Sequence, residues 1–384
     1  MDFYRFRLPG FEHAYTRSPR NRAYVAVLQV KRKSPGDLEE QTREIHELIR
    51  SASIKVLAGT RAFLPHPSPS HFVRQGKLTQ IRDEAAKAGA DILIFNVDLS
   101  PNQAGNIEAF TKIPVIDRTG LILEIFGRRA KSREGQLQVE LAQLEYVLPR
   151  LGGLGTVMSR LGGGIGSRGP GEQELERDRR KVRRRILQVQ SKLQDVRRHR
   201  ELIRAGRKKK NFKTVAIVGY TNGGKSTLLN ALTGAGTLVE DKMFATLDPK
   251  ARMESVNGRR NLLFVDTVGF LRDLPHALIK SFHATLEEVA EADLLIHVLD
   301  AADTHTMDFH RAVENVLREL NAAEKPRVLA LNKADLLDDT QKKRVQELFP
   351  EGILISSKDR LGLNHLLFQL EKMMKSTNPY QPLT

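Results

Sequence analysis

The chain lacks cysteine altogether and lacks long apolar runs among its 384 residues. The absence of cysteine excludes disulfide bonds and thiolate metal sites, and it is typical of proteins that work in a reducing compartment. No apolar run approaches the 18 uncharged residues of a membrane-spanning helix. The first residues, Met1–Arg5, carry no apolar stretch typical of a signal peptide, so we expect a cytoplasmic protein, with partial association with membranes left open. The 11 histidines show no metal-ligand spacing.

Acidic residues are scarce in one segment, and this scarcity explains the formal net charge of +16. From Arg177 to Lys213 there are 17 lysines and arginines but only three acidic residues, so this segment carries nearly all of the net charge. A charge run is more often a solvated helix face or a disordered tail. Charge this concentrated is also what a polyanion-binding surface requires. The length predicts two or three domains.

The same basic segment contains a regular apolar seam. Positions spaced alternately by four and three residues are apolar with two exceptions: Leu175, Arg179, Val182, Ile186, Val189, Leu193, Val196, Arg200 and Ile203. Leu137, Leu141, Leu144 and Leu148 repeat that spacing upstream, until Pro149 ends the helix. Two seams of one period predict an antiparallel helical hairpin (a coiled coil). Arginines outside the seam, such as Arg183, Arg184 and Arg185, are then candidates for binding RNA.

The connector between the two predicted helices, residues 151–171, has nine glycines in 21 positions. A flexible linker is the usual interpretation of such a stretch. However, it contains few serines, and Arg160 and Arg168 stand among glycines that allow close backbone approach. We therefore favour a loop that contacts RNA and becomes ordered on binding.

The first third of the chain alternates apolar runs with amphipathic segments. The predicted strands are Tyr24–Val30, Ile54–Ala58, Asp91–Phe95 and Pro114–Asp117. This alternation predicts a small parallel sheet covered by helices. Arg74–Lys77 could accept a phosphate at a helix start, although an ordinary helix start is the better explanation.

A glycine-rich loop between a predicted strand, Thr214–Val218, and a predicted helix, Thr227–Leu232, matches GxxxxGK[ST]. Its residues are Gly219, Tyr220, Thr221, Asn222, Gly223, Gly224, Lys225 and Ser226, and Thr227 follows. Backbone N–H groups of such a loop and the following helix N-terminus cradle phosphates. Lys225 would reach the β- and γ-phosphates of a nucleotide, and the Ser226 hydroxyl would bind Mg²⁺.

Two further motifs complete the phosphate side of a nucleotide switch. Asp266 ends a second apolar run, where it can hold the Mg²⁺ shell, and the Gly269 N–H can meet a γ-phosphate. Between the two motifs lies Phe244–Pro249, in which Thr246 is the candidate hydroxyl that joins the metal only when the γ-phosphate is present. An ordinary turn before a proline is the alternative for Thr246. Phe244 is counted among the nucleotide-binding candidates.

The base-binding candidates follow in order. Asn332, Lys333 and Asp335 lie after the apolar run Val328–Leu331. A carboxylate such as Asp335 can accept from guanine N1–H and from its exocyclic amine, a donor pair that adenine lacks. Ser356, Ser357 and Lys358 follow another apolar run and could brace the base through backbone N–H groups. We therefore expect GTP and GDP as ligands, with Lys225, Thr246 and Gly269 as the catalytic candidates.

Phe270 stands after Gly269, where Ras-like proteins carry the glutamine that orients the attacking water. A phenyl ring cannot do this, so unaided hydrolysis should be slow and another group must complete the site. Phe270 could also simply be a core residue, which is compatible with the same conclusion.

Four long motifs together resemble the HflX family of ribosome-associated GTPases: Asp117–Leu123, Glu134–Leu144, Gly163–Glu172 and Gly219–Asn222. The resemblance covers about residues 21–375. It implies a GTPase that binds the large ribosomal subunit and splits stalled or idle ribosomes under stress. It also implies that the connector 151–171 of the hairpin reaches the peptidyl-transferase region. It also implies GTP, GDP and Mg²⁺ as ligands.

The resemblance transfers the nucleotide-site roles to Gly224, Lys225, Ser226, Thr227, Thr246, Asp266, Gly269, Asn332 and Asp335. Three positions depart from the family's usual pattern. Gly223 stands where alanine is usual, Gln173–Glu174 where Thr-Gln is usual, and Arg74–Gln75 where Gly-Lys is usual. The last departure leaves open whether the N-terminal domain binds a second nucleotide.

The expected architecture is α/β throughout: an N-terminal extension (1–20), a small parallel α/β domain (21–130), the helical hairpin (131–210), a P-loop GTPase domain with a mostly parallel sheet (211–375) and a tail (376–384). The expected function is dissociation of ribosomes by a monomer, switched by GTP and stimulated by the ribosome. A GTPase that only assists ribosome assembly or holds RNA is the alternative. A switch that lies on anionic membranes through its basic helix is a weaker one, because the helix lacks aromatic residues.

Overall fold

The computed structural model describes residues 22–30, 37–151, 170–209, 212–234, 243–244, 246–248, 250–256, 260–272 and 283–376. Three predicted segments lie outside these ranges: the N-terminal extension, nearly all of the connector 151–171 between the hairpin helices, and the tail beyond residue 376. The chain divides into two compact units. One comprises the residues up to 128 together with 136–194, and the other comprises 129–135 and the residues from 195 onward.

The first unit contains a four-stranded parallel sheet in the order β2-β1-β3-β4. Strands and helices alternate as the sequence predicts: β1 (Arg22–Gln29), α1 (Asp37–Ser51), β2 (Lys55–Phe63), α2 (Gln75–Ala88), β3 (Ile92–Phe95), α3 (Pro101–Thr111), β4 (Val115–Ile116) and α4 (Arg118–Arg129). β1 is buried from Ala23 to Gln29, as expected for a central parallel strand covered on both faces. Tyr24, Leu78 and Phe95 form part of the core on one side of the sheet.

The hairpin helices are α5 (Arg133–Val147) and α6 (Pro170–Lys209). α5 ends at Val147, one residue before the end that the sequence predicts, and Leu148 begins a turn that leads into Pro149. Val182, Val189 and Leu144 of the two predicted seams are completely buried. The Arg185 guanidinium donates to both oxygens of Glu140 on α5, at 2.6 and 3.1 Å. Arg185 is therefore part of the helix pairing, whereas Arg183 and Arg184 are exposed to solvent.

The second unit contains a six-stranded sheet in the order β10-β9-β8-β5-β7-β6, parallel except for β6, which runs antiparallel to β7. Its elements are β5 (Lys213–Gly219), α7 (Lys225–Thr233), β6 (Lys250–Val256), β7 (Arg260–Asp266), α8 (His283–Glu291), β8 (Leu294–Asp300), α9 (Thr306–Glu319), β9 (Arg327–Asn332), α10 (Asp339–Leu348), β10 (Ile353–Leu354) and α11 (Leu363–Ser376). β5 lies between β7 and β8, so the chain order reverses beside it. In open α/β sheets, ligands bind at such a switch point, outside the carboxyl ends of the strands.

One buried polar cluster lies within this second unit. His297 of β8 is fully buried, and neither ring nitrogen has a hydrogen-bond partner among the described residues. It faces His310 and Glu314 of α9 and Arg327 of β9. Burial, above all, lowers the pKa of His297 to about 4. The cluster shows that two of the histidines come together in space, although their sequence spacing gave no sign of it.

No described helix has the length and apolar character that spanning a bilayer requires.

Candidate nucleotide-binding site

The glycine-rich loop joins β5 to α7 at the switch point of the sheet. Gly224, the residue before α7, has a φ of 92°, which side-chain-bearing residues rarely adopt. A β-carbon there would also overlap the Nδ2 atom of Asn332. The first N–H groups of α7 lack helical partners and are available to an anion at this end of the helix.

Lys225 is buried at the start of α7, where its Nζ donates to the Tyr220 carbonyl oxygen at 2.8 Å. Burial lowers the pKa of this ammonium group to about 8. The Oγ1 of Thr221 is also buried and has no hydrogen-bond partner in the described structure. A desolvated cation beside an unpaired hydroxyl fits a phosphate, which would supply the missing acceptors.

The three residues expected to hold a metal lie in direct contact with one another. The Ser226 Oγ and the Thr246 Oγ1 donate to the same Asp266 oxygen, Oδ2, at 2.6 and 2.9 Å, and the two hydroxyls are 2.8 Å apart. Asp266 is fully buried, burial raises its pKa, and its Oδ1 has no hydrogen-bond partner within the described ranges. A buried carboxylate with two hydroxyls is an oxygen-only set that fits Mg²⁺.

Gly269 packs directly against the glycine-rich loop. A β-carbon at Gly269 would lie 2.8 Å from Thr221 Cγ2 and 3.0 Å from Lys225 Nζ, so a larger residue would push on both. The next residue, Phe270, is fully buried, and its backbone pairs with the loop: its N–H donates to the Gly219 oxygen at 3.1 Å, and its oxygen accepts from the Thr221 N–H at 2.8 Å. Phe270 is thus a core residue that offers no polar side-chain group for the attacking water.

Asn332 connects the base side of the site to the phosphate side. Its Nδ2 donates to the Gly223 oxygen at 2.9 Å, and its Oδ1 accepts from the Ser357 N–H at 3.0 Å and from the Ser357 hydroxyl at 2.9 Å. Asp335 lies in the 3₁₀ turn Ala334–Leu336 with its side chain exposed. Lys333 starts this turn in a left-handed conformation and forms a 2.7 Å ion pair with Asp300.

Ser356, Ser357 and Lys358 differ in how their backbone N–H groups are bonded. The Ser356 N–H donates to the Leu361 oxygen at 3.1 Å, and the Ser357 N–H to Asn332. Both N–H groups are therefore used within the chain. Of the three, only Lys358 keeps a backbone N–H without an assigned acceptor in the described structure.

The remaining predicted residues have different surroundings. Asn222 is exposed at a φ of 62°, and Thr227 is half-buried on the first turn of α7. Phe244 is buried at a φ of 55°. Tyr220 stacks on Phe309 of α9 with ring centroids 4.1 Å apart. Phe309 was not anticipated, because no local pattern links α9 to the glycine-rich loop.

Comparison with known families gives a consistent result along the chain. The model described as "GTP-binding GTPase N-terminal" matches residues 39–127, and the "GTP-binding GTPase Middle Region" matches 129–207. The "50S ribosome-binding GTPase" model matches residues 214–333.

Curated relatives are similar over most of the chain. The GTPase HflX of Caldanaerobacter subterraneus subsp. tengcongensis is 47% identical over 351 residues, covering 90% of this chain and 80% of the relative. The protein belongs to the HflX family of GTPases. The GTPase HflX of Escherichia coli (strain K12) is 43% identical over 337 residues, covering 87% of this chain and 79% of the relative. The resemblance seen in the sequence motifs is thereby confirmed.

A solved structure supports the same conclusion. The crystal structure of the SsGBP and GDP complex has a TM-score of 0.52 and 26% identity, and the match covers 92% of this chain and 99% of that chain. Family and fold together make this HflX-family protein a GTP-binding protein that hydrolyses GTP.

Proposed function

We propose that this HflX-family protein binds the large ribosomal subunit and, in its GTP form, dissociates stalled or idle ribosomes as a cytoplasmic monomer. The observation that supports the proposal most is the match of residues 214–333 to the 50S ribosome-binding GTPase model. The buried Phe270 adds to it, because a site without a polar group at this position needs an outside partner for fast hydrolysis.

In the proposed site the chain's own residues bind and orient GTP. Lys225 and the N-terminal N–H groups of α7 bind the phosphates. Ser226, Thr246 and Asp266 would hold Mg²⁺, which neutralises charge on the β- and γ-phosphates when bound. The Gly269 N–H would meet the γ-phosphate.

Base selection in this proposal belongs to Asp335. Its exposed carboxylate accepts from guanine, while Asn332 keeps the two loops of the site together through its three hydrogen bonds. Lys358 supplies the remaining backbone N–H. One N–H of the Asn332 amide is used on Gly223, and the second remains to donate to the base, so Asn332 positions the loops and contacts guanine.

The ribosomal contact is assigned to the hairpin. Along α6 the exposed basic side chains include Arg180, Lys181, Arg183, Arg184, Lys192 and Arg198. Surface cations of this density bind phosphate backbones mainly by releasing counterions. The connector 151–171, which links α5 to α6, contacts ribosomal RNA as well in this proposal.

Single-turnover GTP hydrolysis, with and without isolated 50S subunits, tests the partner. We expect slow hydrolysis by the protein alone and strong stimulation by the subunits. Lys225→Ala is the matched control and should be inactive in both conditions. Fast hydrolysis by the protein alone that 50S subunits leave unchanged would contradict the proposal.

Sedimentation of 70S ribosomes tests the splitting step. With the protein and a non-hydrolysable GTP analogue, we expect the 70S peak to separate into 30S and 50S peaks. Stimulated hydrolysis with intact 70S peaks would favour an assembly or RNA-holding GTPase instead. Binding to anionic vesicles without RNA would favour the membrane-surface alternative.

A further inference from the structure

Asp248 lies two residues after Thr246 and contacts a distant part of the chain. Its Oδ2 accepts from the backbone N–H groups of Lys131 and Ser132 at 2.9 and 2.7 Å, and its Oδ1 accepts from the Ser132 hydroxyl. These residues immediately precede α5 (Arg133–Val147). The carboxylate therefore satisfies N–H groups at the start of the first hairpin helix, where negative charge is favourable.

The fit around this carboxylate is close. The Ser132 Oγ also accepts from the Gly135 N–H at 2.9 Å, so the hydroxyl links the carboxylate to the first turn of α5. A β-carbon at Gly135 would overlap the Asp248 Oδ1. Gly135 is thus a position where the absence of a side chain allows Asp248 to reach the helix.

The three residues Thr246, Leu247 and Asp248 are held at both ends. Thr246 bonds to Ser226 and Asp266, the candidate metal-binding residues, and Leu247 is buried between the two contacts. Upstream, buried Phe244 has a φ of 55°, a conformation that bulky residues rarely adopt.

We propose that Asp248 is a positioning residue for GTP hydrolysis: by binding the start of α5 it holds Thr246 in place beside Ser226 and Asp266. The link is reciprocal, because a contact that favours one arrangement of Thr246 must also favour the corresponding arrangement of the α5 start. GTP, which requires Thr246 in this position, then stabilises the α5 start, and GDP does not. This role of Asp248 rests on the proposed role of Thr246 in the nucleotide site, but not on the proposed ribosomal partner.

A second contact holds the α5 start independently of Asp248. Arg200 of α6 forms an ion pair with Glu134 and another, at 3.6 Å, with Glu287 of α8. Removing the Asp248 carboxylate should therefore leave α5 folded. A loss of hydrolysis in a variant whose α5 stays folded would then indicate a positioning role of Asp248 and not a structural role.

The first test is nucleotide affinity and single-turnover hydrolysis by the full-length Asp248→Ala protein without ribosomes. We expect hydrolysis to fall about tenfold, which is the size of effect expected for losing hydrogen bonds to a charged acceptor at a partly solvated position. Affinity for a non-hydrolysable GTP analogue should fall by a similar factor while GDP affinity stays unchanged. Equal losses for GDP and the analogue, or no loss for either, would overturn the proposal.

The second test follows amide hydrogen exchange of residues 131–140. In the wild type, we expect more protection with the GTP analogue than with GDP, and in Asp248→Ala no difference between the two. Ser132→Ala should behave like a weaker Asp248→Ala, and the double variant should be no worse than Asp248→Ala alone. Ser100→Ala, which removes the cap of α3 in the other unit, is the control and should leave the nucleotide dependence intact. A wild-type protein whose protection ignores the nucleotide would refute the link.

Discussion

Replacing Asp335 by asparagine is the sharpest test of the base site, because it keeps the size and shape of the side chain and changes only its charge and its hydrogen-bonding capacity. Asp335 is exposed and makes no hydrogen bond or ion pair within the described structure. The turn that carries it is held by other contacts, namely the Lys333–Asp300 ion pair and the Ala334 N–H bonded to the Ile355 oxygen. The free energy of unfolding should therefore change by less than about 0.5 kcal/mol.

The effect on the nucleotide should be much larger. A carboxylate offers two acceptors to the guanine N1–H and amine, whereas asparagine offers one acceptor and one donor, and that donor meets another donor. Losing a hydrogen bond to a charged group costs about 1.5–3 kcal/mol, and leaving its partner unsatisfied adds about 1–3 kcal/mol. GDP affinity should therefore fall more than about a hundredfold. Xanthine carries an oxygen in place of the amine, so Asp335→Asn should bind XDP better than GDP.

Competition against a fluorescent nucleotide measures both affinities in one assay. Asp338→Asn is the matched control, because Asp338 caps α10 by accepting from the Gln341 N–H at 2.8 Å and belongs to the same stretch of chain. Because the asparagine oxygen can still cap the helix, that variant should keep most of its thermal stability and its preference for guanine. If Asp335→Asn bound GDP within threefold of the wild type, or did not gain affinity for XDP, the assignment of Asp335 would be wrong.

Other parts of the molecule give independent predictions. Gly269→Ala should slow single-turnover hydrolysis at least about tenfold, because the new methyl group would lie 2.8 Å from Thr221 Cγ2 and press on the phosphate loop; wild-type turnover in this variant would contradict the packing. The pKa of His297 is about 4 in the folded protein and about 6.5 in the unfolded chain. Because the unfolded chain takes up the proton first, the free energy of unfolding is highest above pH 6.5 and decreases as the pH falls towards 4. Denaturant unfolding at pH 7 and pH 4.5 should show a loss of up to about 3 kcal/mol in the wild type and a smaller one in His297→Leu. The double variant Arg183→Ala and Arg184→Ala should weaken 50S binding and lower its salt dependence by up to about two counterions, whereas an unchanged slope would mean that these side chains face no phosphate.

The sequence predicted the nucleotide loop, the strand before it and the helix after it, because each depends on contiguous residues with a strong local pattern. The hairpin was predictable for the same reason, since its seams repeat over several turns. β6 (Lys250–Val256) had no such pattern. It is an antiparallel edge strand, whose register depends on pairing with β7 rather than on its own composition.

The contacts that were not predictable all join residues far apart in the chain. Asp248 meets Ser132 across 116 positions, and Asn332 meets Gly223 across 109. Asn332 shows the consequence most clearly. The motif indicates a base contact, and the same side chain also bonds to two loops that the motif does not mention. Ser357 likewise donates its N–H to Asn332, a contact between loops that the motif does not predict.

Phe270 and Asp248 bear on different steps of the same reaction, and their combination restricts how hydrolysis can be controlled. Phe270 is fixed by two backbone hydrogen bonds to the glycine-rich loop and by complete burial, so it cannot move aside to admit a water-orienting side chain without unpairing that loop. The missing group must therefore approach from the solvent side of the site. Asp248, in contrast, is half-buried and bonded to the start of α5, so its contacts can form and break at modest cost. A partner that displaces the α5 start would weaken the position of Thr246, and one that holds it would strengthen that position. A partner could therefore act on hydrolysis in two separate ways, by changing the position of Thr246 or by supplying the missing polar group. The hydrolysis rates of Asp248→Ala, measured with and without 50S subunits, distinguish the two cases. If the partner only completes the site, the variant should lose the same factor in both conditions. If the partner also acts through α5, the two factors should differ.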